Sequence, residues 1–179
     1  NAMLVAPSIL DATKYFEVFQ KTPLTGKCAV ITSYDPRAGD VSKEETGANT
    51  ETDRQFIYNA YVKLLKDANA KDTEAYEEHA KKLFVDEPAN MRLLIVVDKL
   101  LTGFDAPPCT YLYIDKSMQD HGLFQAICRT NRLDGEDKDF GHIVDYKDLF
   151  KKLVNDKGTG ALQVYSSELD RSAGGTDPD

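Results

Sequence analysis

The chain has 179 residues, with 30 acidic side chains against 22 basic ones and a net charge of −8. That length suffices for one domain with a substantial core, and the acidic balance is not that of a dedicated nucleic-acid-binding module, which is ordinarily basic. There is no apolar run of membrane-spanning length and no secretory h-region, so no membrane partner is expected and the chain reads as a cytoplasmic protein.

Residues 3–6 predict a short strand that Pro7 stops. Ser8 follows as a helix N-cap, with Asp11 three residues on in a carboxylate variant of the capping box. Ala12, Tyr15, Phe16 and Phe19 then recur at helical spacing. A strand beginning almost at the first residue is the pattern of a piece cut from something longer. Asn1-Ala2 ahead of Met3 reads either as an expression scar or as native sequence. A second strand over residues 27–33 ends in Thr32-Ser33-Tyr34-Asp35-Pro36. Open parallel sheets bind ligands at the carboxyl ends of their strands, so Thr32 and Ser33 are candidate donors to phosphate. The same residues read equally as an ordinary polar turn.

Residues 37–52 are polar and predict an exposed loop. Phe56, Ile57, Ala60, Tyr61, Leu64, Leu65 and Ala68 mark an amphipathic helix, and residues 73–84 a second one with Ala75, Ala80, Leu83 and Phe84 inward. Glu77, Glu78 and His79 are adjacent in sequence and so point away from one another on a helix, against a shared metal. Cys28, Cys109 and Cys128 lack metal-ligand spacing, and Cys28 and Cys128 read as small buried hydrophobes.

Residues 91–132 carry most of the chemistry. Leu93 to Val97 form an uninterrupted apolar run, the pattern of a strand buried on both faces. It leads into Thr102-Gly103-Phe104-Asp105-Ala106-Pro107-Pro108, where two prolines forbid a helix. A strand over residues 111–114 follows, then a helix bearing Gln125, Arg129 and Arg132, the arginines three apart on one face. A Gly/Asp loop at a strand end beside such a helix suits phosphate and ribose. The glycine lets backbone approach a ligand, Asp105 accepts from a hydroxyl, and guanidinium forks match phosphate oxygens. Residues 142–146 predict a fifth strand, with a short helix to about residue 154. A helical stub over roughly 161–169 and a Gly/Asp/Pro tail follow. Five strands alternating with helices predict a parallel α/β sheet covered on both faces.

The segments TGFDAP and QAICRTNR resemble motifs V and VI of superfamily 2 helicases and translocases. The wording LLTGFDAP, then YIDK, then DHGLFQAICRTNR and a strand ending IVDY, resembles the motor subunit (R subunit) of type I restriction enzymes. The likeness spans roughly residues 3–146. One departure is minor: Cys128 stands where the usual motif VI has glycine before its first arginine.

The resemblance implies the second of two RecA-like motor domains, over residues 1–156 with a helical insertion at about 53–88, and a stub and tail over 157–179. It implies ATP and Mg²⁺ bound jointly with the first motor domain, Gly103, Asp105 and Gln125 at the nucleotide, and Arg129 and Arg132 at its terminal phosphates. Thr32, Ser33 and Thr102 would touch the backbone of double-stranded DNA. The implied partners are the first RecA-like and nuclease domains of the same subunit, with the methyltransferase and specificity subunits. Two alternatives remain at this point: a different superfamily 2 motor of repair or remodelling, and a RecA-like module that only binds a partner. The chain has no G-x-x-x-x-G-K-[ST] phosphate loop to cradle a nucleotide. Residues 1–179 alone are therefore expected to hydrolyse no ATP, with or without DNA; DNA-stimulated turnover by the purified chain would contradict this reading.

Overall fold

The computed structural model describes residues 1–36, 50–101, 103–118, 122, 126 and 141–149. In chain order these build β1 (Ala2–Val5), α1 (Ile9–Phe19), β2 (Cys28–Ile31), α2 (Glu51–Asp67), α3 (Thr73–Asp86), β3 (Leu93–Val96), β4 (Tyr111–Ile114) and β5 (His142–Asp145). The strands form one sheet in the order β2-β3-β1-β4-β5, and every neighbouring pair is parallel. The parallel α/β architecture expected of a RecA-like domain is therefore present. Each predicted strand occurs: β4 with the expected bounds, β1 one residue earlier than expected, and β2, β3 and β5 shorter by one to three residues in all.

The first strand in sequence is the central one in space. Its register sets Met3 beside Leu94 and Leu112, and Leu4 beside Ile95 and Tyr113. Successive side chains alternate between faces, and the core divides accordingly. Met3, Val5, Leu94, Val96, Leu112 and Ile114 join Ala80 and Phe84 of α3 on one face, with Ala126 and Leu149. Leu4, Val30, Leu93 and Ile95 join Ala12 of α1 and Ile57, Tyr61 and Leu64 of α2 on the other. β3 is buried on both faces, which is why it reads as a continuous apolar run rather than an alternating one.

The helix starts follow local hydrogen-bond chemistry. The Ser8 hydroxyl accepts from the Asp11 amide at 3.1 Å, as its position predicts. α2 begins earlier than the apolar pattern suggests, because Thr50 and Asp53 form a reciprocal capping box two residues inside the expected loop. Phe56, read as inward, lies at 36 % exposure, and Ile57, Tyr61 and Leu64 supply the buried stripe. Cys28 is buried as expected, and burial pushes its thiol up to about 11; Cys109 is buried too. Cys128 lies outside the described residues.

Phe84 is fully buried between α3 and the sheet, whereas Val62 on α2 is 43 % exposed. Phe84→Ala should cost about 3–5 kcal/mol through lost transfer energy and a cavity. Val62→Ala should stay within about 0.5 kcal/mol. Urea unfolding midpoints for the two variants check this; equal midpoints would contradict the placement of α3.

Candidate functional site

Because all five strands are parallel, their carboxyl ends lie along one edge, and the loops leaving that edge are the candidate site. The loop after β3 carries two residues at positive φ among those described. Leu100 and Gly103 both occupy the left-handed region, with φ of 67° and 74°. For leucine this costs on the order of 1–3 kcal/mol. The compensation is burial, since Leu100 and Leu101 are 7 % and 5 % exposed within the α3-side core. Gly103 has no heavy atom within 4 Å of a would-be Cβ. Its backbone angle, not crowding, is what calls for glycine there, and the space around its α-carbon leaves room for a ligand to approach.

α3 holds this loop in two further places. The Phe104 ring lies 6.4 Å from that of Phe84, and Lys99 Nζ lies 2.6 Å from Glu77. Glu78 pairs with Lys81, so the two glutamates beside His79 face lysines. Beyond Phe104, Asp105 is exposed, while the next residue, Ala106, is fully buried. The turn then closes with the Cys109 amide donating to the Ala106 carbonyl at 3.0 Å. A carboxylate presented to solvent from this loop is chemically suited to accept from ribose hydroxyls.

The turn after β2 separates two residues that the sequence groups together. Thr32 is 5 % exposed. Its hydroxyl shares a 2.6 Å hydrogen bond with the Tyr61 hydroxyl and accepts from the Tyr34 amide at 3.1 Å. The expectation that Thr32 donates to phosphate therefore meets a hydroxyl already engaged inside the protein, where it fastens β2 to α2. Ser33, by contrast, is exposed. Thr102, Gln125, Arg129 and Arg132 lie outside the described residues, so of the expected nucleotide residues the structure places Gly103 and Asp105 on this edge.

Sequence reasoning missed a polar cluster at the ends of β4 and β5. Asp115 follows β4 directly, and its amide donates to the Val5 carbonyl at 2.9 Å. Its carboxylate accepts from the Tyr15 hydroxyl of α1 and lies 2.9 Å from Lys147 Nζ. The Tyr15 hydrogen bond, and then Lys147, hold the Asp115 carboxyl below the usual carboxylate range. The same bond, with burial and the aspartate's charge, pushes the Tyr15 phenol up to about 12. Next to it, Lys116 pairs with Asp98 and reaches the Val97 carbonyl at 3.5 Å, spanning the end of β1. The only sequence signal was an Asp-Lys pair closing an apolar strand; the partners depend on β4 lying between β1 and β5. Asp145 accepts from the Lys147 amide at 2.8 Å, as the end of a strand suggests.

The fold and this edge define a parallel α/β domain with an exposed Gly/Asp loop at its strand ends. The sequence family described as type I restriction enzyme subunit R domain 3 matches residues 1–148, and the chain belongs to that family. It is 33 % identical, over 178 residues, to a type I restriction enzyme endonuclease subunit of Staphylococcus aureus (strain COL), covering 95 % of this chain and 18 % of that protein. The endonuclease subunit of type I restriction enzyme HindI from Haemophilus influenzae is 30 % identical over 154 residues, covering 76 % of this chain and 15 % of that one. The chain thus spans less than a fifth of these relatives. Among solved structures, the ATP-dependent Type ISP restriction-modification enzyme LlaBIII bound to DNA superposes with a TM-score of 0.47 at 16 % identity, over 80 % of this chain and 8 % of that one. Among the described residues no helix is long and apolar enough to cross a membrane, and no group of three His, Cys, Asp or Glu could hold a metal ion.

The Asp115 cluster fixes a pH dependence. A carboxyl with a lowered folded pKa contributes stability above its unfolded value, near 4, and loses it as pH falls through the folded value. A phenol with a raised pKa contributes below its unfolded value, near 10, and loses it as pH rises towards the folded one. Asp115→Asn should therefore lower stability at pH 7, by an amount that shrinks below about pH 4. In the same variant the ultraviolet titration of Tyr15 should move from about 12 towards an ordinary phenol. A stability gap unchanged at pH 3, or an unmoved tyrosine, would contradict the cluster.

Proposed function

We propose that this chain is the second RecA-like motor domain of a type I restriction enzyme R subunit, and that it completes an ATP site rather than containing one. The observation that carries this reading is the Gly103–Asp105 loop. It stands at the carboxyl edge of a parallel sheet, packs against α3, and carries the motif V wording in a chain of this family. The residues present fit a nucleotide: Gly103 is open around its α-carbon and Asp105 is solvent-exposed.

In this reading the phosphate loop and the Mg²⁺ ligands come from the first motor domain of the same subunit. Asp105 accepts from the ribose, with Gly103 allowing close approach and Gln125 nearby. Arg129 and Arg132 act at the terminal phosphates, and Arg132 is the arginine finger that stabilises charge developing in the transition state. Closing the two domains on ATP and reopening them after hydrolysis moves the motor along double-stranded DNA. Ser33 and Thr102 contact the DNA backbone, which positions the motor without reading sequence. Thr32 supports that turn from within. Cleavage falls to the subunit's nuclease domain, and site recognition to the methyltransferase and specificity subunits.

The test is Arg132→Ala in the full-length subunit assembled with its partners. A finger acts on the transition state, so turnover should fall by roughly 10³- to 10⁵-fold with far less change in ATP binding. Lysine should rescue poorly, because a point charge lacks the planar fork. Assembly and DNA-site binding should survive while translocation and DNA cutting fail. Single-turnover hydrolysis within a few-fold of wild type, in a correctly folded variant, would make Arg132 a surface residue and favour the non-catalytic module.

A further inference from the structure

Two adjacent residues at the root of the loop after β3 carry opposite charges, and each is met by a different part of the frame. Asp98 pairs with Lys116, which follows β4 and lies 3.5 Å from the Val97 carbonyl as well. Because β1 sits between β3 and β4, this contact crosses the end of β1. Lys99 pairs instead with Glu77 of α3 at 2.6 Å, out of the sheet on the face that α3 covers. In both pairs the partner from the frame is the shielded one. The Lys116 and Glu77 side chains are 21 % and 15 % exposed, against 79 % and 44 % for Asp98 and Lys99.

The frame residues have anchors of their own. Lys116 comes directly after Asp115, whose amide donates to the Val5 carbonyl and whose carboxylate meets Tyr15 and Lys147. Glu77 also lies 3.5 Å from Lys81 Nζ, one turn along α3. Neither partner can serve the other loop residue, since Lys116 repels Lys99 and Glu77 repels Asp98. Pairs this exposed add little to overall stability. What they select is orientation, the way the backbone faces as it enters Leu100. That entry matters because Leu100 stands at a φ of 67°, which a leucine keeps only where its surroundings impose it. Beyond Gly103 the same loop presents the Asp105 carboxylate to solvent.

We propose that Lys116 and Glu77 are positioning residues for Asp105. By holding Asp98 and Lys99 from two directions, they aim the loop so that its carboxylate meets the hydroxyls of a ribose. The proposal rests on the reading of Asp105 as the ribose contact and adds the groups that aim it. Without the two pairs the root of the loop is free to turn, and Leu100 relaxes towards an ordinary negative φ. Asp105 then swings off the hydroxyls. A nucleotide without those hydroxyls has nothing to lose by this, so the expected defect is one of discrimination between nucleotides rather than of turnover in general.

The experiment uses the full-length subunit assembled with its partners on DNA. It compares kcat/KM for ATP with that for dideoxyadenosine triphosphate, which lacks both ribose hydroxyls. A hydrogen bond to a carboxylate is worth roughly tenfold or more, so wild type should prefer ATP by that factor and Asp105→Ala should bring the ratio near unity. Lys116→Met keeps the stem and removes the charge; it should lower the ratio to about threefold or less, and Lys116→Arg should restore it. Glu77→Ala should act in the same direction, and the two together should approach Asp105→Ala. A merely structural defect slows both nucleotides alike and leaves the ratio where it was. A ratio kept by Lys116→Met and Glu77→Ala but lost in Asp105→Ala would overturn the proposal and leave the ribose contact standing. A ratio lost equally with methionine and with arginine at Lys116 would also overturn it, because the charge would not be what acts. Indifference of the ratio to Asp105→Ala would overturn the ribose reading itself, and the proposal with it.

Discussion

The position of β1 is the constraint on which the rest of the structure depends. A four-residue strand close to the start of the sequence pairs on both sides, with β3 across one ladder and β4 across the other. Those partners begin some ninety and over a hundred residues later, so neither ladder forms without closing a long loop. Once both form, everything else is fixed in register. Leu94 and Leu112 come to flank Met3, the two faces acquire their separate cores, and the carboxyl ends of all five strands share one edge. The backbone also sews the edge together: the Ala6 amide donates to the Val96 carbonyl at 2.8 Å, and the Asp115 amide to the Val5 carbonyl at 2.9 Å.

On that frame α3 has a role beyond covering the sheet. Its Phe84 and Glu77 are the two points against which the loop after β3 is braced, through Phe104 and Lys99. A leucine held at positive φ is tolerable only where its surroundings over-determine it, and Leu100 is held by burial in the core that α3 completes. The helical insertion between β2 and β3 thus links core packing to the geometry of the Gly103–Asp105 loop. A change deep in α3, far from any ligand, is expected to be felt at the loop by this route.

Strands and helices were legible because their signals are local. The apolar run at 93–97, the two prolines after Asp105 and the Ser8 cap each report on a few neighbouring residues. Strand order is a non-local property, and what depended on it was hidden. Nothing near Asp115 in sequence points to Tyr15 or Lys147, which meet it only because β4 sits between β1 and β5. Thr32 and Ser33 show the same limit at finer grain. Neighbouring hydroxyl residues look equivalent in sequence, yet strand alternation and a tyrosine from α2 turn one inward and leave the other exposed. The start of α2 was missed differently, because a capping box needs no apolar residue and the hydrophobic pattern begins later.

The acidic balance of the chain looks at first like an argument against the proposed DNA motor, and the described carboxyl edge bears on it. Lys99, Lys116 and Lys147 all stand at this edge, and each faces a carboxylate, from Glu77, Asp98 and Asp115 respectively. Their charge is spent within the protein, tying loops to helices and strands to one another. Among the described residues of this edge, a hold on a phosphate backbone would then fall to neutral donors such as Ser33. Neutral contacts release few counterions and so bind weakly and with little dependence on salt. In the proposed motor, a domain that lets go of the duplex at every step would be better served by weak and uniform contact. Tight electrostatic anchoring would, in that proposed cycle, have to be undone each time the domains close and reopen.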